Sequence, residues 1–547
     1  MRNPASRAIA VMNSAISARS ARLRPYRDHL LAAAVLAVVA TSLPAQQQFV
    51  PLQPQLPANH DCVVQVAGDV DGDGDADLVC QQIYSYYHQP IASRLLLNDG
   101  DGSFSDAPAG SLPTTATGGL VLGDVDGDGD LDLVSVNYSW NPQSRNGLFL
   151  NDGQGNFTDV TTSNMPLDNF MGRNGTLADV DSDGDLDLLC TPYLTWGSPD
   201  QDRVYINDGN GVFTDETLAR LPAAMDYTHD ILAADFDGDG DLDLFCANSG
   251  QNCLYRNNGS GFFTDVTVSQ LPQSNVGAGN AVAADFDGDG DLDIACGAAN
   301  GGNRLLVNDG AGTFSDETAS RLPIHFEITT FTAGDFDGDG DQDLLAVNTN
   351  ICNPQPWGSC SGGQNRLYCN DGTGTFTDAT ARLPQAIDRT TGAIVGDLDG
   401  DGDLDIVAGN ETVSFGPMSN EANTTTVLLN VQRQLDAPNP PQIGQPYSLD
   451  AYMRYGPSST IDLAAIYLST APASVALQPF GTLGIDPALA VPFPTLVIPQ
   501  PAGVGSAGFT IPNVPGLIGQ VIYSQAMLVA YPGNLRLSNV VRDVIAP

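Results

Sequence analysis

Five aspartates alternate with other residues in the nine-residue stretch Asp235-Phe-Asp237-Gly-Asp239-Gly240-Asp241-Leu-Asp243. Carboxylates crowded that closely repel one another unless a cation sits among them, and Ca²⁺ is the hard, oxygen-seeking cation whose flexible coordination accepts such crowding. The stretch recurs seven times in the 547-residue chain, at intervals of 55, 55, 56, 50, 50 and 62 residues. Position one is Asp69, Asp124, Asp179, Asp235, Asp285, Asp335 and Asp397, and position three is Asp71, Asp126, Asp181, Asp237, Asp287, Asp337 and Asp399. Position five is Asp73, Asp128, Asp183, Asp239, Asp289, Asp339 and Asp401, and position nine is Asp77, Asp132, Asp187, Asp243, Asp293, Asp343 and Asp405. These four side chains are assigned as ligands of about seven Ca²⁺ ions. The backbone carbonyl of position seven (Asp75, Asp130, Asp185, Asp241, Asp291, Asp341 and Asp403) is assigned as a further one.

Position six is glycine in every copy, where a sharp turn leaves no room for a Cβ, whereas position four is glycine in six copies and Ser182 in the third. Only the sixth position is therefore expected to have a demanding backbone. One isolated copy also reads as a solvated acidic turn, but seven in one register argue against that. An EF-hand needs flanking helices and a glutamate at position twelve. Here the flanks are short apolar runs, Ile231 to Ala234 and Leu242 to Cys246, which read as strands.

A second signature follows each loop: an apolar strand, an Asn-Asp-Gly type turn and an aromatic strand, as in Leu95 to Phe104, Val204 to Phe213 and Leu305 to Phe314. Asn, Asp and Gly supply the positive φ of a tight hairpin. Each repeat thus contains four antiparallel strands, and seven such units predict an all-β fold, a seven-bladed β-propeller. After Val427 to Asn430 the expected turn and aromatic strand are missing, while Phe49 to Pro57 matches the ends of the other repeats. The N-terminal segment is therefore expected to close the seventh blade, which removes an open sheet edge.

The formal charge is −44 and the chain contains no lysine. This argues against nucleic acid as a partner and excludes P-loop, Schiff-base and Ser-Lys chemistry. Six arginines between Arg2 and Arg27, the apolar run Leu30 to Ala40, and Ser42-Leu-Pro-Ala45 read as a signal peptide over 1–45. The run is too short to span a bilayer, so no transmembrane segment is expected after cleavage and the protein is read as secreted or on the cell surface.

Residues 46–431 resemble the FG-GAP or VCBS repeats, known from the N-terminal propeller of integrin α subunits, through the Asp-x-Asp-x-Asp-Gly-x-x-Asp spacing and the Asn-Asp-Gly turns. The resemblance implies a seven-bladed propeller with calcium in the hairpin between a blade's first two strands. It does not imply one activity, since such propellers serve adhesion, assembly and enzyme accessory roles.

Strand alternation places the acidic loops and glycine turns on one face of the ring. The variable loops of the opposite face carry Tyr86, Tyr87, Trp140, Tyr193, Trp196 and Trp357, the expected site for an extracellular glycan or protein ligand. The competing reading of these rings is that they anchor their own loops. Cys80, Cys190, Cys246 and Cys296 share one register and read as small core residues. Cys352 with Cys360 is the best disulfide candidate and Cys246 with Cys253 a weaker one.

A proline-rich linker over 432–444 precedes residues 445–547, whose apolar runs between Pro and Gly turns predict a small β-sandwich. The sequence thus reads as a secreted, calcium-binding propeller for adhesion or recognition. The alternatives are a propeller-scaffold enzyme acting on polysaccharide and a structural spacer. No GxSxG, HExxH or CxxC pattern supports the enzyme, although a carboxylate pair is compatible with glycoside cleavage.

Overall fold

The structure is a computed structural model. It describes residues 48–51, 56–57, 63–81, 93–100, 102–113, 119–137, 145–167, 170–193, 200–274, 276–297, 302–323, 330–348, 351–352, 360–361, 363–385, 390–398, 402–410 and 424–430. Beyond these it describes 435–436, 446–452, 461–469, 472–476, 482–485, 491–492, 496–499, 504–510, 521–530 and 534–544. Two compact units are present, one formed by Phe49–Asn430 and a second that includes Val431–Pro547.

The first unit contains seven four-stranded antiparallel sheets, the blades of a β-propeller. The third blade is representative, with Gly172–Ala178, Asp187–Pro192, Arg203–Asn207 and Phe213–Asp215 in sequential order. First strands touch first strands all the way round, so they line the centre of the ring. Val66, Val121, Gly175, Leu177 and Ile394 from four of them line an open central pocket of ≈ 360 Å³. In the seventh sheet Thr390–Gly396, Asp405–Asn410 and Thr424–Asn430 are followed at the outer edge by Phe49–Pro51, in the register Phe49↔Asn430.

Second strands are buried on both faces because a neighbouring blade covers each side. Asp132–Val136 and Asp343–Val347 are buried at every position. The apolar core is accordingly divided among the gaps between blades. Between the third and fourth, Leu189, Val204, Ile231, Leu244, Tyr255 and Phe263 pack together. Between the sixth and seventh, Phe49 packs with Phe336, Leu367, Ile406 and Leu428. Each such leucine or phenylalanine contributes roughly 2 kcal/mol when fully buried, so the blades hold one another up.

After the outer strand of the second to fifth blades the chain makes one helical turn, as in Thr217–Arg220 and Thr318–Arg321. The repeated Asp-x-Thr of the sequence explains it. Asp215 Oδ1 accepts the Thr217 N–H at 3.0 Å, and Thr217 Oγ1 accepts the Val204 N–H at 3.1 Å, which pins the turn onto the third strand.

The second unit is also built of strands. Leu435–Asp436, Pro446–Tyr452 and Val504–Thr510 form one sheet. A larger one joins Val491–Pro492, Ile461–Ser469, Val521–Ala530 and Asn534–Val544, with Leu496–Pro499 also paired to Ile461–Ser469. Ile466 and Ala526, directly paired, are completely buried.

Candidate metal centres and the opposite face

Each acidic stretch forms the hairpin between a blade's first and second strands, and its carboxylates divide the work. At position one, Asp69 Oδ1 accepts the Gly72 N–H at 2.8 Å and Oδ2 accepts the Gly74 N–H at 2.9 Å, so the loop curls around this side chain. Asp124, Asp235, Asp285 and Asp335 do the same. At position five, Asp73, Asp128, Asp183, Asp239, Asp289 and Asp339 each accept the N–H of position seven.

Position nine is buried. Asp77 Oδ2 accepts the Val70 N–H at 3.0 Å and Oδ1 accepts the Asn98 N–H at 2.8 Å, which ties the loop to the glycine turn beside it. Burial raises these carboxyls, to about 6 for Asp77, Asp132 and Asp243 and to about 7 for Asp187, Asp293 and Asp343, against the N–H groups that lower them. The position-seven side chains lie against the glycine turn of the same blade. A Cβ on Gly100, Gly153 or Gly209 would collide with Asp75, Asp130 or Asp185.

The asparagine at the end of each blade's third strand stitches the ring. Asn151 Nδ2 donates to Val70 O at 2.8 Å, Asn257 Nδ2 to Val180 O at 2.7 Å, and Asn430 Nδ2 to Phe336 O at 3.0 Å, in each case the loop of the preceding blade.

The backbone corrects one expectation. Position four is left-handed as well as position six: Gly72 has φ 76° and Gly74 has φ 99°, while Ser182 at position four, φ 60°, is the one non-glycine with positive φ among the described residues. A φ near 60° lies in the small left-handed region that other residues reach at a cost of about 1–2 kcal/mol, whereas position six lies outside it. Serine is therefore tolerated at four and nothing but glycine at six.

The donor set fits a hard cation. Single carboxylate oxygens of Asp69, Asp71 and Asp77 lie within 4.8 Å of one another, as do those of Asp124, Asp126 and Asp132, of Asp179, Asp181 and Asp187, and of Asp235, Asp237 and Asp239. Cys369 stands with Asp337 and Asp343 in the sixth blade. Oδ1 of Asp71, Asp181 and Asp287 is buried without a hydrogen-bond partner, which is the state a bound cation relieves. Burial and neighbouring like charges raise Asp71, Asp126 and Asp181. Asp399 and Asp401 lie outside the described residues.

Arginines that sequence reading missed enter four of the sites. Arg220 Nη2 pairs with Asp181 Oδ2 at 3.2 Å, Arg321 Nη1 with Asp287 Oδ2 at 3.0 Å, Arg382 Nη1 with Asp337 Oδ2 at 2.8 Å, and Arg256 pairs with Asp237. Arg220 and Arg321 end the helical turns described above and Arg382 ends the matching 3-10 turn. For these three the repeated position before the leucine of Leu-Pro was the available signal, whereas Arg256 comes from the third strand Cys253–Arg256.

On the opposite face Tyr193 donates its N–H to Met171 O at 2.7 Å. Tyr86, Tyr87, Trp140, Trp196 and Trp357 lie outside the described residues. Met225, Tyr227 and Val276 are exposed there. At the same end of the innermost strands, Arg173 Nη1 meets His229 Nδ1, whose Nε2 lies 2.7 Å from Ser249 Oγ. Burial and the Arg173 charge push His229 down to about 4. Asp230, pushed up to about 6 by burial, accepts from Asn174 Nδ2 at 2.8 Å and from Asn280 Nδ2 at 3.3 Å. Charged residues inside strands that line the ring were the overlooked signal.

The cysteines depart from expectation. Cys80 is in a disulfide rather than a plain core residue, whereas Cys246 and Cys253, though direct cross-strand partners, are both free thiols. The Cys253 Sγ is engaged instead in hydrogen bonds, donating to Asp226 Oδ2 at 3.5 Å and accepting from Asn248 Nδ2 at 3.3 Å. Cys352 and Cys360 are backbone partners in the register of the short hairpin Ile351–Cys352 and Cys360–Ser361.

No helix among the described residues is long and apolar enough to cross a membrane. Over 109 residues, 20% of this chain and 16% of the relative, the chain is 30% identical to cartilage acidic protein 1 of Xenopus tropicalis, so it spans only a small part of that protein's length. Among solved structures, an Agrocybe aegerita lectin described as recognising non-reducing terminal N-acetylglucosamine aligns at 18% identity and a TM-score of 0.37, over 61% of this chain and 79% of that one. A tetra-tandem repeat from the extending region of a large adhesion protein aligns at 11% identity and a TM-score of 0.14, over 78% and 98%. The FG-GAP-like repeat profile matches residues 69–135, 124–190, 191–246, 235–296, 285–346 and 357–408. These matches cover more than half of the chain, which belongs to the FG-GAP-like repeat family.

Proposed function

We propose that this protein is an exported propeller whose seven acidic loops hold Ca²⁺ and whose opposite face binds an extracellular glycan or surface protein. The observation that carries the calcium reading is the buried, unpartnered carboxylate oxygen of Asp71, Asp181 and Asp287 among further carboxylates. Positions one, three and nine would hold the ion, with position five and the carbonyl of position seven completing an all-oxygen set. Calcium supplies charge neutralisation there. The chain's own residues curl the loop, hold position six at a positive φ that glycine alone adopts, with open space around it, and tie the loop to the next blade.

The ligand reading rests on the division of labour between faces. Side chains on the acidic face are spent on the loops, while Tyr193, Tyr227 and Met225 lie on connections that vary from blade to blade, beside the Arg173, His229 and Ser249 group. Similarity to a protein named for cartilage supports an extracellular setting, as does the signal-like segment 1–45. The C-terminal sheets are proposed to be a β-sandwich module on the same exported chain.

The test is binding of the calcium-loaded chain to glycan and matrix-protein arrays, followed by affinity measurements on Trp140→Ala and Trp196→Ala. Each substitution is expected to weaken binding by roughly 2 kcal/mol with the fold retained. Equal affinity for parent and both variants, with losses confined to glycine-turn variants of the acidic face, would refute the placement.

A further inference from the structure

We propose that Cys246, Cys253, Asp202 and Asp226 form a second kind of metal site, for one thiophilic divalent cation of the zinc class, on the face opposite the acidic loops. The third blade breaks a repeated contact. Just before the third strand, other blades carry an asparagine that clips two blades together. Asn146 Oδ1 accepts the Asn137 N–H at 3.0 Å while Nδ2 reaches Cys190 Sγ of the next blade at 3.7 Å. Asn252 and Asn365 repeat this with the N–H groups of Asn248 and Asn348 and with Cys296 and Thr390.

In the third blade both halves of the clip are altered. Asp202 stands in place of the asparagine, and Pro192, without an N–H, stands where Asn137, Asn248 and Asn348 supply one. Asp202 Oδ2 accepts from Thr228 Oγ1 at 2.9 Å, but Oδ1 is buried with no hydrogen-bond partner. Arg203 does not fill the gap, because its guanidinium lies over the Phe170 ring and 3.7 Å from Asp200.

The groups around Asp202 are soft and acidic. Cys246 lies against the Asp202 carboxylate and is the cross-strand partner of Cys253, at a register where other blades pair Cys190 with Arg203 and Cys296 with Arg304. The Cys246 thiol hydrogen-bonds the Asp202 carboxylate, and the fourth blade has thus exchanged an arginine for a second thiol beside a carboxylate that keeps one oxygen, Oδ1, unpaired. The bridge Asp200↔Asp226 draws Asp226 in, with Oδ2 3.5 Å from Cys253 Sγ. Sulfur and oxygen ligands on one tetrahedral zinc ion are separated by about 3.5 Å, given metal distances of roughly 2.3 and 2.0 Å. Two thiolates and two carboxylates suit that cation class, whereas the acidic loops offer oxygen alone.

Cys246 and Cys253 are both free thiols, and thiols must shed their protons to ligate a metal. Binding must release them, and affinity should rise with pH.

The test uses the full chain, reduced and then freed of reductant, in saturating Ca²⁺, titrated with Co²⁺ as a spectroscopic probe. One equivalent of Co²⁺ should produce a thiolate-to-metal charge-transfer band that Zn²⁺ abolishes and that Cys246→Ser and Cys253→Ser remove. Asp202→Asn restores the residue the other blades use, so it should fold, yet it should weaken the site by more than the roughly tenfold that losing an outer-shell partner costs. Absence of the band overturns the proposal. So does a band that survives Cys253→Ser, or a Cys246–Cys253 disulfide whose reduction leaves Co²⁺ unbound.

Discussion

The first two acidic loops and the next four share a sequence but not an electrostatic setting. In the third to sixth blades the position-three carboxylates Asp181, Asp237, Asp287 and Asp337 each pair with a guanidinium. Among the described residues, Asp71 and Asp126 of the first two blades have none. Where the third blade places Arg220 before Leu221, the first places Ser111 before Leu112 and the second places Asn164 before Met165. Ser111 Oγ instead bonds Asn156, and Asn164 Nδ2 donates to Gly211 O at 3.0 Å. An arginine is a built-in counter-ion. It holds a loop together without metal, and it competes with metal for the same carboxylate. Under the proposed calcium reading, the first two loops should depend more on Ca²⁺ and bind it more tightly.

The comparison assumes one closed ring in which every loop braces the next. Deleting residues 46–57 removes the strand Phe49–Pro51 and the completely buried Phe49 ring, which packs edge-on against Phe336 at 6.2 Å. Loss of a buried phenylalanine alone costs about 3–5 kcal/mol. The truncated chain should lose at least that in denaturant melts. Melting like the parent would mean that the blades are independent and that neighbours do not set a loop's strength.

A smaller effect comes from pH. The position-nine carboxyls are raised from 3.8 to about 6 or 7, burial being the main cause. For an acid raised by folding, the stabilising contribution is fully present below the unfolded value and is lost as pH climbs through the folded one. In EDTA the protein should therefore melt lower at about pH 8 than at about pH 5, and added Ca²⁺ should raise the melting temperature more at the higher pH. A pH-independent melt in EDTA would show that these carboxyls are not strained without metal.

Much of this was legible from spacing alone. Carboxylates at every second residue, glycine at six and the Asn-Asp-Gly turn are local patterns, and local patterns survive in sequence. The number of strands and blades followed from them. What escaped depends on distance. Arg321 meets Asp287 across 34 positions and Arg382 meets Asp337 across 45, a pairing that only the helical turn after each blade creates. Position nine reads as one more ligand, yet in the fold it is also the buried acceptor of two backbone N–H groups. Asp202 and Pro192 were visible in sequence as departures from the repeat, but their meaning required the strand register that sets Cys246 opposite Cys253. Ser182 was read as evidence of an undemanding position, when its φ shows a demanding one that serine just meets.

The most direct measurement is a calcium isotherm by titration calorimetry on the EDTA-stripped chain, repeated for Arg321→Ala and Asn164→Arg. The account predicts about seven sites, in two classes, with the weaker class led by the arginine-paired loops. Arg321→Ala should tighten one weak site by about fivefold, equivalent to a half-buried ion pair of ~1 kcal/mol. Asn164→Arg should weaken one strong site by a similar factor. No heat of binding, or a single class that neither substitution shifts, would contradict it.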